Sequence, residues 1–252
     1  MGQVASRIEL SAMERLMSPR LKRLLVHGVR LLAASAVRAW LQVYHRFTVI
    51  GRHHLPSTGS FMLVANHASH LDTLCLLSVL PMRRLHRVFP AAAKDYFCVN
   101  AVRSLLAKVI VNALPFDRSL AFGLSLSVCE RVLEEHGNVL IFFPEGTRSG
   151  RTEPSEFKPG IALLTAGRDV PVVPCHLAGT HQALPKGAWF PRPSALRLTI
   201  GEPRVYAHLS ASKESVKYIC RDIREAVISL GRMQTEPNRG VQESRTLAQI
   251  TH

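Results

Sequence analysis

Short apolar runs at residues 61–65, 87–92, 111–116, 139–143, 171–177 and 196–200 alternate with stretches of helical periodicity at 72–80, 100–109, 119–136, 159–167 and 211–230. No other feature of this chain restricts its fold as strongly. A strand buried on both faces reads as a continuous apolar run rather than an alternating one. Such strands separated by helices predict an α/β fold, with a mostly parallel sheet covered by helices on both faces. Loops at the carboxyl ends of its strands are then the place for a ligand site. The chain has 252 residues, 47% of them hydrophobic, enough for one core of this kind over residues 46–231. Residues 232–252 are polar and read as a disordered tail.

Two of the loops predicted at strand ends carry unusual chemistry. The first is Asn66-His67-Ala68-Ser69-His70-Leu71-Asp72, directly after the run 61–65. His67 and Asp72 would lie about 140° apart on one helix. They can meet only if His67 sits in the turn before the helix and Asp72 in its first turn. There Asp72 would hold one imidazole nitrogen protonated and leave the other to take a proton. The alternatives for these residues are ordinary: Ser69 and Asp72 as helix-start residues, or His67, His70 and Asp72 as metal ligands. A Ser69 nucleophile activated by His67 also stays open, although no third triad member is visible.

The second loop is Phe143-Pro144-Glu145-Gly146-Thr147-Arg148-Ser149, after the run 139–143. Gly146 permits a tight turn and a close approach of backbone N–H groups to an anion. Arg148 can grip a phosphate with two parallel hydrogen bonds. Thr147 adds a donor, and Glu145 could orient Arg148 or meet a substrate hydroxyl. Lys158 follows shortly after, and Lys94 and Arg118 follow the second and third predicted strands. A solvated ion-paired turn is the plainer reading of the same residues.

Lys and Arg total 32 against 18 Asp and Glu, a net charge of +14 that implies an anionic partner. Aromatic residues make up only 6% and are not interleaved with basic runs, which argues against a nucleic-acid stacking platform. The widely spaced Cys75, Cys98, Cys129, Cys175 and Cys220 form no CxxC pair and suggest buried, reduced thiols. Residues 20–45 read as one helix with Arg23, His27, Arg30 and Arg38 on one face. Its uncharged stretch falls far short of the roughly 20 residues that span a bilayer. The expectation for 1–45 is therefore a basic amphipathic segment lying on a membrane, at the cytoplasmic face. Residues 1–20 lack the apolar core of a secretory signal, and Gly2 fits the loose N-myristoylation pattern. There is no GxSxG elbow, GxGxxG fingerprint, phosphate-binding P-loop or HExxH pair.

Taken together, the two loops resemble those of the glycerolipid acyltransferase family, which includes the 1-acylglycerol-3-phosphate acyltransferases. Asn66 to Asp72 is similar to the family's Asn-His-…-Asp motif, and Phe143 to Ser149 to its Phe-Pro-Glu-Gly-Thr-Arg-Ser motif. Val170-Pro171-Val172-Val173-Pro174 resembles its fourth motif, and Leu114 to Arg118 more loosely its second. The likeness covers roughly residues 40–205.

The resemblance implies His67 as general base and Asp72 as its orienting acid. It implies an acceptor site drawn from Asn66, Ser69, Lys94, Arg118, Glu145, Gly146, Thr147, Arg148 and Lys158. The reaction it implies is acyl transfer from acyl-CoA or acyl-carrier protein to a hydroxyl of lysophosphatidic acid or a related lipid. No metal or resident cofactor is implied, and the expected partners are an anionic membrane surface, a lysophospholipid and the acyl thioester, with no nucleic acid. An acyltransferase for larger headgroups, a transacylase, and a non-catalytic lipid-binding protein are the competing readings.

Overall fold

The structure is a computed structural model that describes residues 18–93, 114–116, 122–148 and 153–235. Its strands are β1 (Thr48–Ile50), β2 (Phe61–Ala65), β3 (Val88–Ala93), β4 (Leu114–Phe116), β5 (Val139–Phe142), β6 (Val172–Ala178) and β7 (Arg197–Ile200). They form a single sheet in the order β1-β7-β6-β2-β5-β3-β4. The helices are α1 (Pro19–His45), α2 (Leu71–Val79), α3 (Phe122–Glu134), α4 (Gly160–Thr165), the short α5 (Thr180–Ala183) and α6 (Lys213–Thr235). The helix expected at 100–109, the first half of the run 111–116, the start of the helix expected at 119–136 and most of the polar tail lie outside the described residues.

β2, β3, β4, β5 and β6 run parallel to one another, as the sequence pattern predicts. The run 196–200 departs from it. β7 lies antiparallel to β6, and β1 pairs parallel with β7, so these two edge strands run the other way. The reason is the connection: between β6 and β7 the described chain contains only the short α5 and a loop, not a crossover helix.

β2 is the central strand, and every one of its residues is fully buried. Phe61, Leu63 and Ala65 face a core shared with α1 and α2. Met62 and Val64, one residue out of phase, face the core under α3, α4 and α6. Each large side chain buried this way contributes roughly 1.5–3 kcal/mol, so a polar substitution in β2 costs stability on whichever face it falls. α6 keeps its place by the spacing of Ile219, Ile223 and Val227, all fully buried, and by Ser212, whose hydroxyl accepts the Ser215 N–H at 3.1 Å at the helix start. Cys75, Cys129 and Cys175 are buried free thiols.

α1 is helical as expected, but Arg30 and Arg38 turn toward the domain. Arg38 donates to the Leu80 carbonyl and Arg52 to the Val79 carbonyl at 2.9 Å. Both guanidiniums thereby satisfy carbonyls at the end of α2 that have no partner within that helix. Arg30 lines a cleft against Leu74 and Leu77, and the His27 ring meets that of His86 at 6.1 Å. The exposed positions of α1 include the apolar Val29, Leu32, Ala36, Ala39 and Val43 as well as the polar His27, Ser35 and Gln42. No helix among the described residues is long and apolar enough to cross a membrane.

Candidate active site

The site begins where β2 ends. Asn66 extends the pairing of β2 with β6 through its side chain: the amide donates to the Leu177 carbonyl at 2.9 Å and accepts the Leu177 N–H at 2.8 Å. The backbone is thereby released from the ladder one residue before His67. The chain then turns into α2, and Asp72 falls in the first turn of that helix.

One oxygen of Asp72 collects three donors. Oδ2 accepts the Ala68 N–H at 2.7 Å, the Ser69 N–H at 2.8 Å and His67 Nδ1–H at 2.9 Å. The same atom therefore bonds both the backbone at the helix start and the His67 ring. Because a carboxylate can only accept, Nδ1 is the nitrogen that donates to it, and in the neutral imidazole the lone pair is then on Nε2. The imidazole can then take up a proton at Nε2 while the carboxylate offsets the charge that forms.

The second loop is fastened to the first. The Phe143 ring stacks on the His67 imidazole, with centroids 4.2 Å apart and planes inclined by 20°. Glu145 is buried, at 3% exposure, and its carboxylate is fully engaged. Oε1 accepts the His67 N–H at 2.8 Å, and Oε2 accepts both the N–H and the hydroxyl of Ser155 at 2.9 Å. Arg224, from α6, donates in turn to the carbonyls of Pro154 and Ser155. A buried carboxylate holds its charge only when it is partnered in this way. Its role in the structure is to clasp three segments together.

Gly146 has φ of +74°, the left-handed region that glycine enters without strain. Its N–H donates to the Phe143 carbonyl at 3.1 Å, and the Lys158 N–H to the Pro144 carbonyl at 3.0 Å. The Lys158 ammonium lies 2.9 Å from where a Cβ on residue 146 would stand, so this cation crosses the glycine directly. Thr147 is exposed and Arg148 half-buried. Neither Arg148 nor Lys158 forms an ion pair among the described residues. Arg148 on this turn and Lys158 crossing it have the chemistry to receive an anion, and neither is matched by a carboxylate among the described residues.

The structure thus brings Asn66, His67, Ser69, Asp72, Glu145, Gly146, Thr147, Arg148 and Lys158 to one end of the sheet. Lys94 and Arg118 lie outside the described residues. Ser69 is not placed as a nucleophile. It is fully buried, donates its hydroxyl proton to the Leu184 carbonyl at 2.9 Å, and accepts the Leu71 N–H at 3.3 Å. Ser155, Arg224 and the stacking role of Phe143 do not emerge from the sequence. Phe143 could have been found, since it opens the second loop; Ser155 and Arg224 are tied in only by the fold.

Comparison with known proteins decides the family. An acyltransferase family model matches residues 46–178, more than half of the chain and both loops in full. The chain belongs to the acyltransferase family. A 1-acyl-sn-glycerol-3-phosphate acyltransferase of Chlamydomonas reinhardtii is 31% identical over 214 residues, covering 82% of this chain and 59% of the relative. Another, from Limnanthes alba, is 33% identical over 132 residues, covering 52% of this chain and 45% of the relative. The chain spans about half the length of the curated relatives it matches. Among solved structures, the 1-acyl-sn-glycerophosphate acyltransferase PlsC of Thermotoga maritima superposes with a TM-score of 0.62 at 26% identity, covering 85% of this chain and 84% of that one. The match runs from just before β1 to the end of β6, leaving α1 and α6 outside it.

Proposed function

We propose that the protein is an O-acyltransferase that moves a fatty acyl group from an acyl thioester to the free hydroxyl of lysophosphatidic acid or a closely related phosphorylated glycerolipid. One observation carries the reading. The His67–Asp72 pair is bonded through Glu145 to the turn that carries Arg148 and is crossed by Lys158, neither cation being ion-paired among the described residues. The names of the relatives, 1-acylglycerol-3-phosphate acyltransferases, support the same choice of acceptor.

In this mechanism Nε2 of His67 removes the hydroxyl proton of the acceptor as its oxygen attacks the thioester carbonyl. A C–O bond forms and the carbonyl electron pair moves onto oxygen. When the tetrahedral intermediate collapses, the C–S bond breaks and the thiolate leaves, taking the proton back from His67. Asp72 keeps the imidazole in one orientation and stabilises the imidazolium between these steps. Arg148 and Lys158 hold the acceptor phosphate, with Lys94 and Arg118 as further cations and Thr147 as a hydroxyl donor. Asn66, Ser69 and Glu145 act on the substrate indirectly, by fixing the loops. The chemistry calls for no resident cofactor or metal: acyl-CoA or acyl-carrier protein is the co-substrate, and the acceptor is drawn from an anionic membrane at its cytoplasmic face.

The test is to incubate the purified protein with labelled acyl-CoA, or acyl-carrier protein, and a panel of lysolipids, and to identify the products by mass. Phosphatidic acid as the main product is expected. Arg148→Ala should raise the Michaelis constant for lysophosphatidic acid by roughly 10- to 100-fold, the loss of one charge-assisted contact of about 1.5–3 kcal/mol. It should leave the constant for the acyl donor alone. Product only from acceptors with larger headgroups, or no product from any, would overturn the assignment.

A further inference from the structure

Between α6 and the edge strands β7 and β1 lies an open cleft of about 560 Å³ that the proposed chemistry does not use. That size falls within the roughly 300–1,000 Å³ of small-molecule sites. Arg46, Arg197 and Arg232 line it, and Glu153 is the one carboxylate among its described lining residues.

The register of the sheet builds the floor. Thr48 of β1 is paired with Arg197 of β7, and Arg197 with Ala178 of β6, so these three side chains share one face. Two residues along, on the same face, Thr199 is paired with His176. His176 is buried, and α6 passes over it at Gly231, where a Cβ would stand 2.7 Å from Nε2. The helix thus closes the inner end of the cleft. It packs on β6 and only grazes β7, which leaves the sheet beside Arg197 open. Pro154, Ala195 and Ile228 add apolar wall.

Arg46 enters the cleft from an unusual backbone. Among the described residues it is the only one other than glycine with a positive φ, +46°. It follows the last residue of α1, and the Phe47 N–H closes that helix end on the Leu41 carbonyl at 3.1 Å. Glycine is the usual residue at such a position, because it enters the left-handed region without strain. Arginine accepts that strain here and places a cation on the cleft. Neither Arg46 nor Arg197 forms an ion pair among the described residues. Arg232 meets Glu153 at 3.2 Å in an exposed pair, which contributes little and yields to a better partner.

We infer that this cleft is a second anion site, separate from the turn of Arg148 and Lys158, and that it takes the phosphorylated end of a small molecule carrying two or more negative charges. Arg46 and Arg197 grip the phosphate oxygens, and Arg232 leaves Glu153 to join them. The site has a direct connection to the catalytic loops. β7 lies two strands from β2, about 10 Å at the usual strand spacing. The wall at Glu153 and Pro154 runs straight into Ser155, which holds Glu145. Two sources share the required chemistry. One is the nucleotide end of a CoA thioester, whose phosphates are separated from the thioester by an extended arm; the other is a free phosphorylated metabolite acting as an effector. Only the first rests on the proposed function.

The experiment titrates the full chain by calorimetry with adenosine 3′,5′-bisphosphate and, separately, with inorganic pyrophosphate. Saturable binding that weakens with added salt is expected. Arg46→Gly/Arg197→Gln should raise the dissociation constant by about tenfold or more. Its melting temperature should hold, because glycine suits the backbone at 46. Glu153→Gln releases Arg232 and should tighten binding by up to about fivefold. A double variant that binds both anions as the parent does would overturn the inference, as would a parent that binds neither. Binding lost in Arg148→Ala but kept in the double variant would overturn it too, by placing the anion in the acceptor site. Initial rates separate the two sources. If the CoA end sits here, the double variant raises the Michaelis constant for acyl-CoA and leaves that for the acceptor alone. If a free metabolite does, the bisphosphate changes the parent's rate without competing with acyl-CoA, and the double variant loses that response. If the parent acylates no acceptor, the proposed function fails, while the titration still decides the cleft.

Discussion

His67 donates its backbone N–H to the Glu145 carboxylate at 2.8 Å, so the loop after β2 and the loop after β5 are bonded to each other through a buried side chain. The other oxygen of that carboxylate is shared by the N–H and hydroxyl of Ser155. Glu145→Gln keeps the shape but turns one acceptor into a donor, which must then face either the His67 N–H or the Ser155 pair. The expected cost is about 1–3 kcal/mol of stability, because a buried donor is left unmatched. Turnover should fall as well, since the imidazole loses its fixed support. Chemical denaturation alongside initial rates checks both; an unchanged midpoint would show that the clasp is dispensable.

His67→Ala should lower acyl transfer by about 10²–10⁴-fold, the usual contribution of a positioned general base. The fold should survive, because Asp72 retains the two backbone N–H groups of Ala68 and Ser69. A melting curve and a product assay on the same preparation separate the two effects.

Asp72→Asn should leave both the helix start and the imidazole bonded, because an amide oxygen in the place of Oδ2 can still accept all three donors. What it loses is the negative charge that offsets an imidazolium. A rate loss on the order of 10²–10⁴-fold with a small change in stability is expected. Failure of the rate to drop would mean that the charge of the Asp72 carboxylate does not support the reaction.

Gly146→Ala puts a side chain at φ of +74° and a methyl group against the Lys158 ammonium. The backbone strain is about 1–2 kcal/mol, and Lys158 must swing aside. A raised Michaelis constant for the phosphorylated acceptor should accompany the loss of stability. A variant with lowered stability but normal acceptor kinetics would place Lys158 outside the phosphate site.

The contact between α1 and the domain should weaken in acid. His45 is fully buried and burial pushes its basicity below the ordinary histidine range. His86, opposite His27, is lowered first by burial and then by Arg87. The unfolded chain binds protons on these groups more readily than the folded one. Their contribution is therefore intact above a pH of about 6.5 and is lost as pH falls through that value. Melting temperature should drop between neutral pH and mildly acidic pH, and His45→Gln should flatten the slope. Equal slopes for the two proteins would remove His45 from the account.

The sequence reveals what depends on local pattern. β2 announced itself as an unbroken apolar run because it is covered on both faces, and His67 and Asp72 could be paired because they are separated by a single turn. Contacts between distant segments were not legible. Nothing near Ser155 or Arg224 marks them as supports for Glu145, because the connection passes through α6. The direction of β7 could not be read from its composition either, since an apolar strand looks the same in both orientations. α1 shows how charge can mislead. Arg30 and Arg38 suggest an outward basic face, but the Leu80 carbonyl after α2 gives Arg38 a partner in place of water, and apolar Leu32 and Val43 are among the residues left outward.

The position of β2 between β5 and β6, with each face sealed, bears on how this protein fails when heated. Amides in such a strand exchange with solvent only when the whole domain opens. Asn66 and His67 hang from its end, so the imidazole shares the fate of the most protected part of the molecule. Loss of activity on warming should then coincide with cooperative melting instead of preceding it.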